Sequence, residues 1–128
     1  MNIVDSCGWL EYFADGKNAE IFAPIIENTS ELLVPVISIY EVFKRVLQQR
    51  DENAALQAIA LMQQGQIITL TAETALMAAK LSIDYRLPMA DSLILATARQ
   101  HHACLWTQDS DFSHISEVKF FSKTPLHS

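Results

Sequence analysis

Short runs of consecutive apolar residues alternate along the chain with longer stretches in which apolar residues recur every three or four positions. The runs MNIV (1–4), LLVP (32–35), IITL (67–70), ACLW (103–106) and VKFF (118–121) are apolar on both faces and too short for helices, which marks buried strands. Between them the spacing predicts six helices, over about 6–14, 18–28, 38–49, 53–64, 71–84 and 88–101. The first carries Trp9, Leu10 and Phe13 on one side, and the fourth has Leu56, Ile59, Ala60 and Met62 to bury. Gly65 reads as the stop of the fourth helix, and Pro88 suits the first turn of the sixth.

Strands that are apolar throughout need cover on both faces. The pattern therefore predicts an α/β fold with a parallel sheet between helical layers and right-handed crossovers. No repeat, low-complexity stretch or linker interrupts it, so residues 1–128 are expected to form one domain. In such sheets ligands sit beyond the carboxyl ends of the strands, near the point where strand order reverses.

Composition narrows the function. Half of the residues are hydrophobic, enough for a core and against disorder. The three glycines, Gly8, Gly16 and Gly65, are too far apart for a GxGxxG or GxxxxGK[ST] phosphate cradle. No basic leader opens the sequence and no apolar run approaches a membrane span. Cys7 and Cys104 are isolated thiols without a CxxC, which points to a reduced, cytoplasmic protein. Fifteen acids against nine bases give a net charge of −6, at first sight wrong for a nucleic-acid binder.

The placement of the acids changes that picture. Asp5 directly follows the first strand, and Asp109 and Asp111 follow ACLW in WTQDSDF. Glu41 lies in the first turn of the helix after LLVP, and Asp91 in the first turn of the apolar helix PMADSLILATA. Each also has a purely structural use. Asp5 suits a helix cap, Ser38 and Glu41 have the spacing of a capping box, Asp91 complements a helix N-terminus, and Asp109 and Asp111 suit a turn. All five nevertheless fall where one rim of the sheet is expected. Two carboxylates about 5 Å apart repel by roughly 3 kcal/mol at an effective dielectric of 20, so a cluster stays ionised only around a cation. An all-oxygen ligand set favours Mg²⁺ or Mn²⁺ over zinc. Such an ion binds phosphate oxygens, acidifies a bound water and neutralises a leaving oxygen, which suits phosphodiester hydrolysis. Without these five acids the chain carries ten acids against nine bases, so its acidity does not exclude a nucleic-acid substrate.

VDSCGWLEYF, the Glu41 helix, LPMADSLILATA and LWTQDSDF, in this order and spacing, resemble the PIN domain, and most closely the VapC-type toxins of bacterial toxin–antitoxin pairs. The resemblance spans residues 2 to about 121. It implies a three-layer α/β/α fold with a mostly parallel sheet, and an Mg²⁺- or Mn²⁺-dependent endoribonuclease leaving 5′-phosphate and 3′-hydroxyl ends. It implies Asp5, Glu41 and Asp91 as the metal-binding core, Asp109 as a fourth acid and Asp111 as an acid beside it, with Asp5, Glu41, Asp91 and Asp109 catalytic and Asp5, Asp91, Asp109 and Asp111 placed around the metal. Ser6 and Thr107 match hydroxyl positions that orient the carboxylates. Cys7 departs from the Ser or Thr of many relatives, which puts any contact made there in doubt. A homodimer and an antitoxin partner that blocks the acidic site are further implications. Lys44 and Arg45, one turn beyond Glu41, are candidates for gripping RNA phosphates, although Arg45 is also spaced to pair with Glu41.

Other features point elsewhere only weakly. His101, His102 and Cys104 lack zinc spacing and a fourth ligand, and no G-x-S-x-G elbow supports a serine hydrolase. Trp9, Tyr40, Trp106 and Phe112 suit a core better than base stacking. Leu56, Ile59 and Met62 offer a weak dimer surface, and the tail KTPLHS is expected to fray. Two rival readings remain: a phosphorelay receiver, although Thr71 rather than an Asp follows IITL, and a non-catalytic binding module.

Overall fold

The computed structural model describes residues 1–123, so most of the KTPLHS tail lies outside the described residues. All the predicted strands and helices form. In chain order they are β1 (Asn2–Val4), α1 (Ser6–Phe13), α2 (Ala19–Glu27), β2 (Leu33–Pro35), α3 (Val36–Gln49), α4 (Glu52–Met62), β3 (Gln66–Ile68), α5 (Ala72–Tyr85), α6 (Met89–Gln100), β4 (Cys104–Thr107) and β5 (Lys119–Phe120). Two single 3₁₀ turns, Thr29–Glu31 and Ser110–Phe112, were not legible in the pattern.

Every strand pair is parallel. β1 lies between β4 and β2: Val4 stands opposite Trp106, and a single bridge joins Asn2 to Leu32. β3 flanks β2 and β5 flanks β4, giving the order β3-β2-β1-β4-β5. The chain thus runs outward on one side of β1 and then restarts on the other, and the order reverses between β1 and β4. A receiver domain has the order 2-1-3-4-5, so this topology removes the phosphorelay reading.

The strands alternate their side chains between two cores. Ile3, Leu33 and Leu105 face α5 and α6, packing with Ala78, Leu81, Ile94 and Phe112. Val4, Val34 and the half-buried Trp106 face α1 to α4, packing with Trp9, Phe22, Val42 and Met62. Each fully buried aliphatic or aromatic side chain contributes about 1.5–3 kcal/mol. Three layers follow directly.

Boundary differences have local causes. Helix α3 begins at Val36 rather than Ser38 because Pro35, extended at φ −61°, takes the cap position. That shift dissolves the capping box: Ser38 is buried inside the helix with its Oγ unpartnered, and Glu41 is left for another donor. Helix α4 ends at Met62, before Gly65. A Cβ on Gly65 would stand 3.0 Å from the Leu32 carbonyl oxygen, so this glycine serves a close approach to the strand β2 region rather than a helix stop. Pro88 caps α6 instead of entering it. Met62 is fully buried while Leu56 is exposed, so these two residues do not share a dimer surface. Trp9 and Phe112 are core, Trp106 stacks on Phe121 at 5.9 Å, and Tyr40 alone of the four aromatics lies open. Among the described residues His101, His102 and Cys104 make no metal-capable group. Among the described residues no helix is long and apolar enough to cross a membrane.

Gly8 fixes how closely α1 can sit on β1. A Cβ there would lie 2.4 Å from Val4 Cγ1, in a side chain that is fully buried and stiff at χ1. Gly8→Ala is expected to destabilise the fold by about 1–3 kcal/mol through overpacking. An unchanged midpoint in urea unfolding would contradict this reading of the contact.

Candidate metal centre and active site

The two strands that flank the reversal deliver the first two acids. Asp5 leaves β1 and caps α1: its Oδ1 accepts from the Gly8 N–H at 2.9 Å. Its backbone N–H donates to the Trp106 carbonyl at 3.1 Å, which sets it beside the end of β4. There Thr107 Oγ1 donates to Asp5 Oδ2 at 2.6 Å and accepts the Asp109 N–H at 2.9 Å. Asp109 in turn caps the short turn that follows, its Oδ1 accepting the Asp111 N–H at 2.9 Å. Asp5 is only 2% exposed, Asp109 is half-buried and Asp111 is exposed. Asp91 enters from the first turn of α6, half-buried.

Carboxylate oxygens of Asp91, Asp109 and Asp111 lie within 4.8 Å of one another, and Asp5, Cys7 and Asp109 form a second group of the same size. Asp109 belongs to both and joins Asp5 to Asp91. Glu41, expected in the metal-binding core and in a first helical turn, stands outside these groups and one turn into α3, because that helix starts at Val36. Its Oε1 accepts from Ser6 Oγ at 2.5 Å, and its charge still reaches Asp5. The four acids assigned to a metal therefore converge, Glu41 borders them, and both hydroxyls expected to orient carboxylates do so. Cys7 lies beside Asp5 and Asp109, and the hydroxyl bonds to carboxylates come from Ser6 and Thr107.

The two basic candidates separate. Lys44 lies over the Tyr40 ring at 5.7 Å. Arg45 lines a cavity that opens beside Cys7, and among the described residues no ion pair joins it to Glu41.

The electrostatics are those of an uncompensated acid cluster. Burial pushes the Asp5 carboxyl up to about 7; the charges of Asp109 and Glu41 add to this, while the Thr107 and Gly8 hydrogen bonds oppose it. Asp91 rises to about 8, chiefly through burial, then the charge of Asp109, hydrogen bonding with Asp111 and the charge of Asp5. Burial and the neighbouring Asp5 and Asp109 push the Cys7 thiol up to about 12, so it stays protonated at neutral pH.

Gln108 and Asn18 were not singled out in the sequence. Gln108 is 5% exposed, between Thr107 and Asp109, and its Oε1 accepts from Asn18 Nδ2 at 2.9 Å. Its place in WTQDSD is a signal of sorts; nothing in the sequence marks Asn18, 90 residues away.

This donor set fits a small hard divalent cation. Ligands about 2.1 Å from one ion stand at most about 4.2 Å apart; each of the two groups that share Asp109 lies within 4.8 Å, and the four aspartates offer only oxygen. A positive ion among them removes the repulsion that raises Asp5 and Asp91.

A three-layer parallel fold with an acidic rim at the strand-order reversal defines a class. A model of the PIN domain matches residues 3–118, and the chain belongs to that family. No curated protein sequence matches it. Among solved structures, a toxin–antitoxin complex from Klebsiella pneumoniae superposes with a TM-score of 0.77 at 23% identity, covering 98% of this chain and 100% of that one. VapC20 of Mycobacterium tuberculosis, a toxin that cleaves the sarcin–ricin loop, gives 0.77 at 15% identity, covering 93% and 98%. DNA-bound VapBC from Salmonella typhimurium gives 0.72 at 12% identity, covering 97% and 100%. At these identities the likeness speaks for the fold.

Proposed function

We propose that the protein is an Mg²⁺- or Mn²⁺-dependent endoribonuclease and the toxin of a toxin–antitoxin pair. The observation that carries this is the meeting of Asp5, Asp91, Asp109 and Asp111 at the strand-order reversal, with Asp5 and Asp91 too basic to stay ionised together at neutral pH unless a cation joins them. Asp5, Asp91 and Asp109, with Asp111 at the open side, would hold the ion. When bound, it supplies charge neutralisation at a phosphodiester and acidifies a coordinated water.

The chain's own groups do the rest. The Gly8 N–H and Thr107 hydroxyl lock both Asp5 oxygens in direction. Thr107 also ties Asp109 to Asp5, so the ends of β1 and β4 cannot drift apart without breaking a buried hydrogen bond. Ser6 holds Glu41 at the border of the cluster, where its carboxylate would act through the ion or a water bound to it. Arg45 contributes positive charge beside the centre.

Support for the toxin reading comes from the solved neighbours, which include toxin–antitoxin complexes and a toxin that cuts RNA. By the same likeness the protein partner is an antitoxin; the homodimer and the cytoplasmic setting rest on the family resemblance of the sequence alone. The test is incubation of purified protein with total cellular RNA. Discrete fragments with 5′-phosphate ends are expected with Mg²⁺ or Mn²⁺ and none in EDTA. RNA left intact with both ions would refute the proposal and leave the non-catalytic module in its place; RNA cut equally well in EDTA would refute the metal dependence.

A further inference from the structure

A cavity of about 460 Å³ opens between α1, α3 and α4 and reaches the acid cluster, sharing Cys7 with it. Its character is opposite to that of the cluster. Arg45, Arg50 and Lys123 line it, three of the nine bases of a chain with net charge −6. Among the described residues none of the three is in an ion pair. The one acid in the lining, Glu11, is occupied by the backbone N–H of Asn18 at 2.9 Å.

Gln108 gives a second, independent sign. It is almost wholly buried, it lines the same cavity, and its Oε1 is taken by Asn18. That bond orients the amide and leaves Nε2, which keeps contact with solvent, free to donate to a group in the cavity. Arg45, Arg50, Lys123 and Gln108 can all donate to an anion in the cavity.

From this geometry we infer that the cavity is a phosphate subsite. It holds a backbone phosphate of the RNA strand next to the one being cleaved, with Arg45, Arg50 and Lys123 supplying charge and Gln108 Nε2 a fixed hydrogen bond. The inference rests on the ribonuclease reading for its ligand but not for its test. Gln108 directly precedes Asp109, so one stretch of backbone sets both the acid centre and the neighbouring donor. The apolar part of the lining, including Phe13 and Leu61, offers a surface to a ribose or base.

The experiment is fluorescence anisotropy of a labelled single-stranded RNA oligonucleotide with the full chain in EDTA, so that binding is read without cleavage. Arg45→Gln and Arg50→Gln, at exposed positions that tolerate the change, are each expected to raise Kd about tenfold. Each should also lower the slope of log Kd against log salt by about 0.7, the share of one phosphate contact on a single strand. Lys80→Gln, on α5, is the control and should change neither. Unchanged affinity and slope in both arginine variants would overturn the subsite. So would the variants losing a glutamate-rich peptide while keeping RNA, which would assign the cavity to a protein partner. The two readings fail separately. RNA left uncut in Mg²⁺ with arginine-dependent binding sinks the nuclease alone, and metal-dependent cleavage with arginine-independent binding sinks the subsite alone.

Discussion

Asp91→Asn is expected to lower divalent-dependent RNA cleavage by about 10²–10³-fold or more while making the metal-free protein harder to melt. Asparagine keeps the size and one carbonyl oxygen of aspartate and removes only the charge. In the folded protein that charge is opposed by burial and by Asp109, Asp111 and Asp5. Removing it therefore relieves the apo fold, by several degrees in Tm for a domain of this size, and at the same time takes an oxygen anion from the ion's ligand set. Loss of activity with gain of stability separates a working site from a scaffold, in which a substituted half-buried residue normally costs stability.

Asp5→Asn should lose activity to the same degree with a smaller gain in stability, or a loss. Both Asp5 oxygens accept hydrogen bonds, and an amide NH₂ facing the Thr107 hydroxyl turns an acceptor into a donor. Thr107 Oγ1 already accepts from the Asp109 N–H, so its own proton is left without a taker. Cleavage assays beside thermal melts in EDTA check both variants. Full metal-dependent cleavage by either would remove that residue from the site.

The second large effect is on the pH dependence of stability. Without divalent ions the protein is expected to become less stable as pH rises from about 5 to 8.5. Asp5 titrates near 7 and Asp91 near 8 in the folded state, both far above the 3.8 of an unperturbed aspartate. Between about pH 4 and 8 the folded chain thus binds more protons than the unfolded chain, and stability falls with rising pH throughout that window. For the buried Asp5 alone, the displacement from 3.8 to about 7 corresponds to about 4 kcal/mol, a large share of the 5–15 kcal/mol of a typical domain.

Millimolar Mg²⁺ or Mn²⁺ should flatten the profile, because an ion that binds only the folded form restores by mass action what ionisation removes. The measurement is a series of melts at several pH values, with EDTA and with either ion. The Asp5→Asn, Asp91→Asn double variant should show a shallow profile in both conditions, which separates these two groups from the general effect of a net charge of −6. A metal-free Tm that is level or rises toward pH 8.5 would mean that the acids are not buried together.

The architecture was legible because it rests on local pattern. Apolar runs such as IITL and ACLW must be covered on both faces wherever they lie, and that alone implies a parallel sheet between helices. Elements shifted by a residue or two where a proline or a tight approach overruled propensity. Pro35 moved the start of α3 and so abolished a capping box that the Ser38–Glu41 spacing had offered. The two 3₁₀ turns, with only three residues each, left no periodic trace.

The acids were visible for a related reason. Asp5, Asp109 and Asp111 follow strands, Asp91 opens α6 and Glu41, expected in a first turn, lies one turn into α3 because that helix starts at Val36; all five still fall near one edge of the sheet. What the sequence determined by itself is thus the layered fold and the edge on which the acids lie, because both follow from hydrophobic periodicity and chain direction. Only the tertiary structure decided which acids touch. The strand order places β1 against β4, 100 residues apart in sequence, and this sets Asp109 between Asp5 and Asp91 while Glu41 stays one hydroxyl away. It also decided that Arg50, Lys123 and Gln108 face one cavity. Contacts of that kind are fixed by packing between distant segments, and no local spacing encodes them.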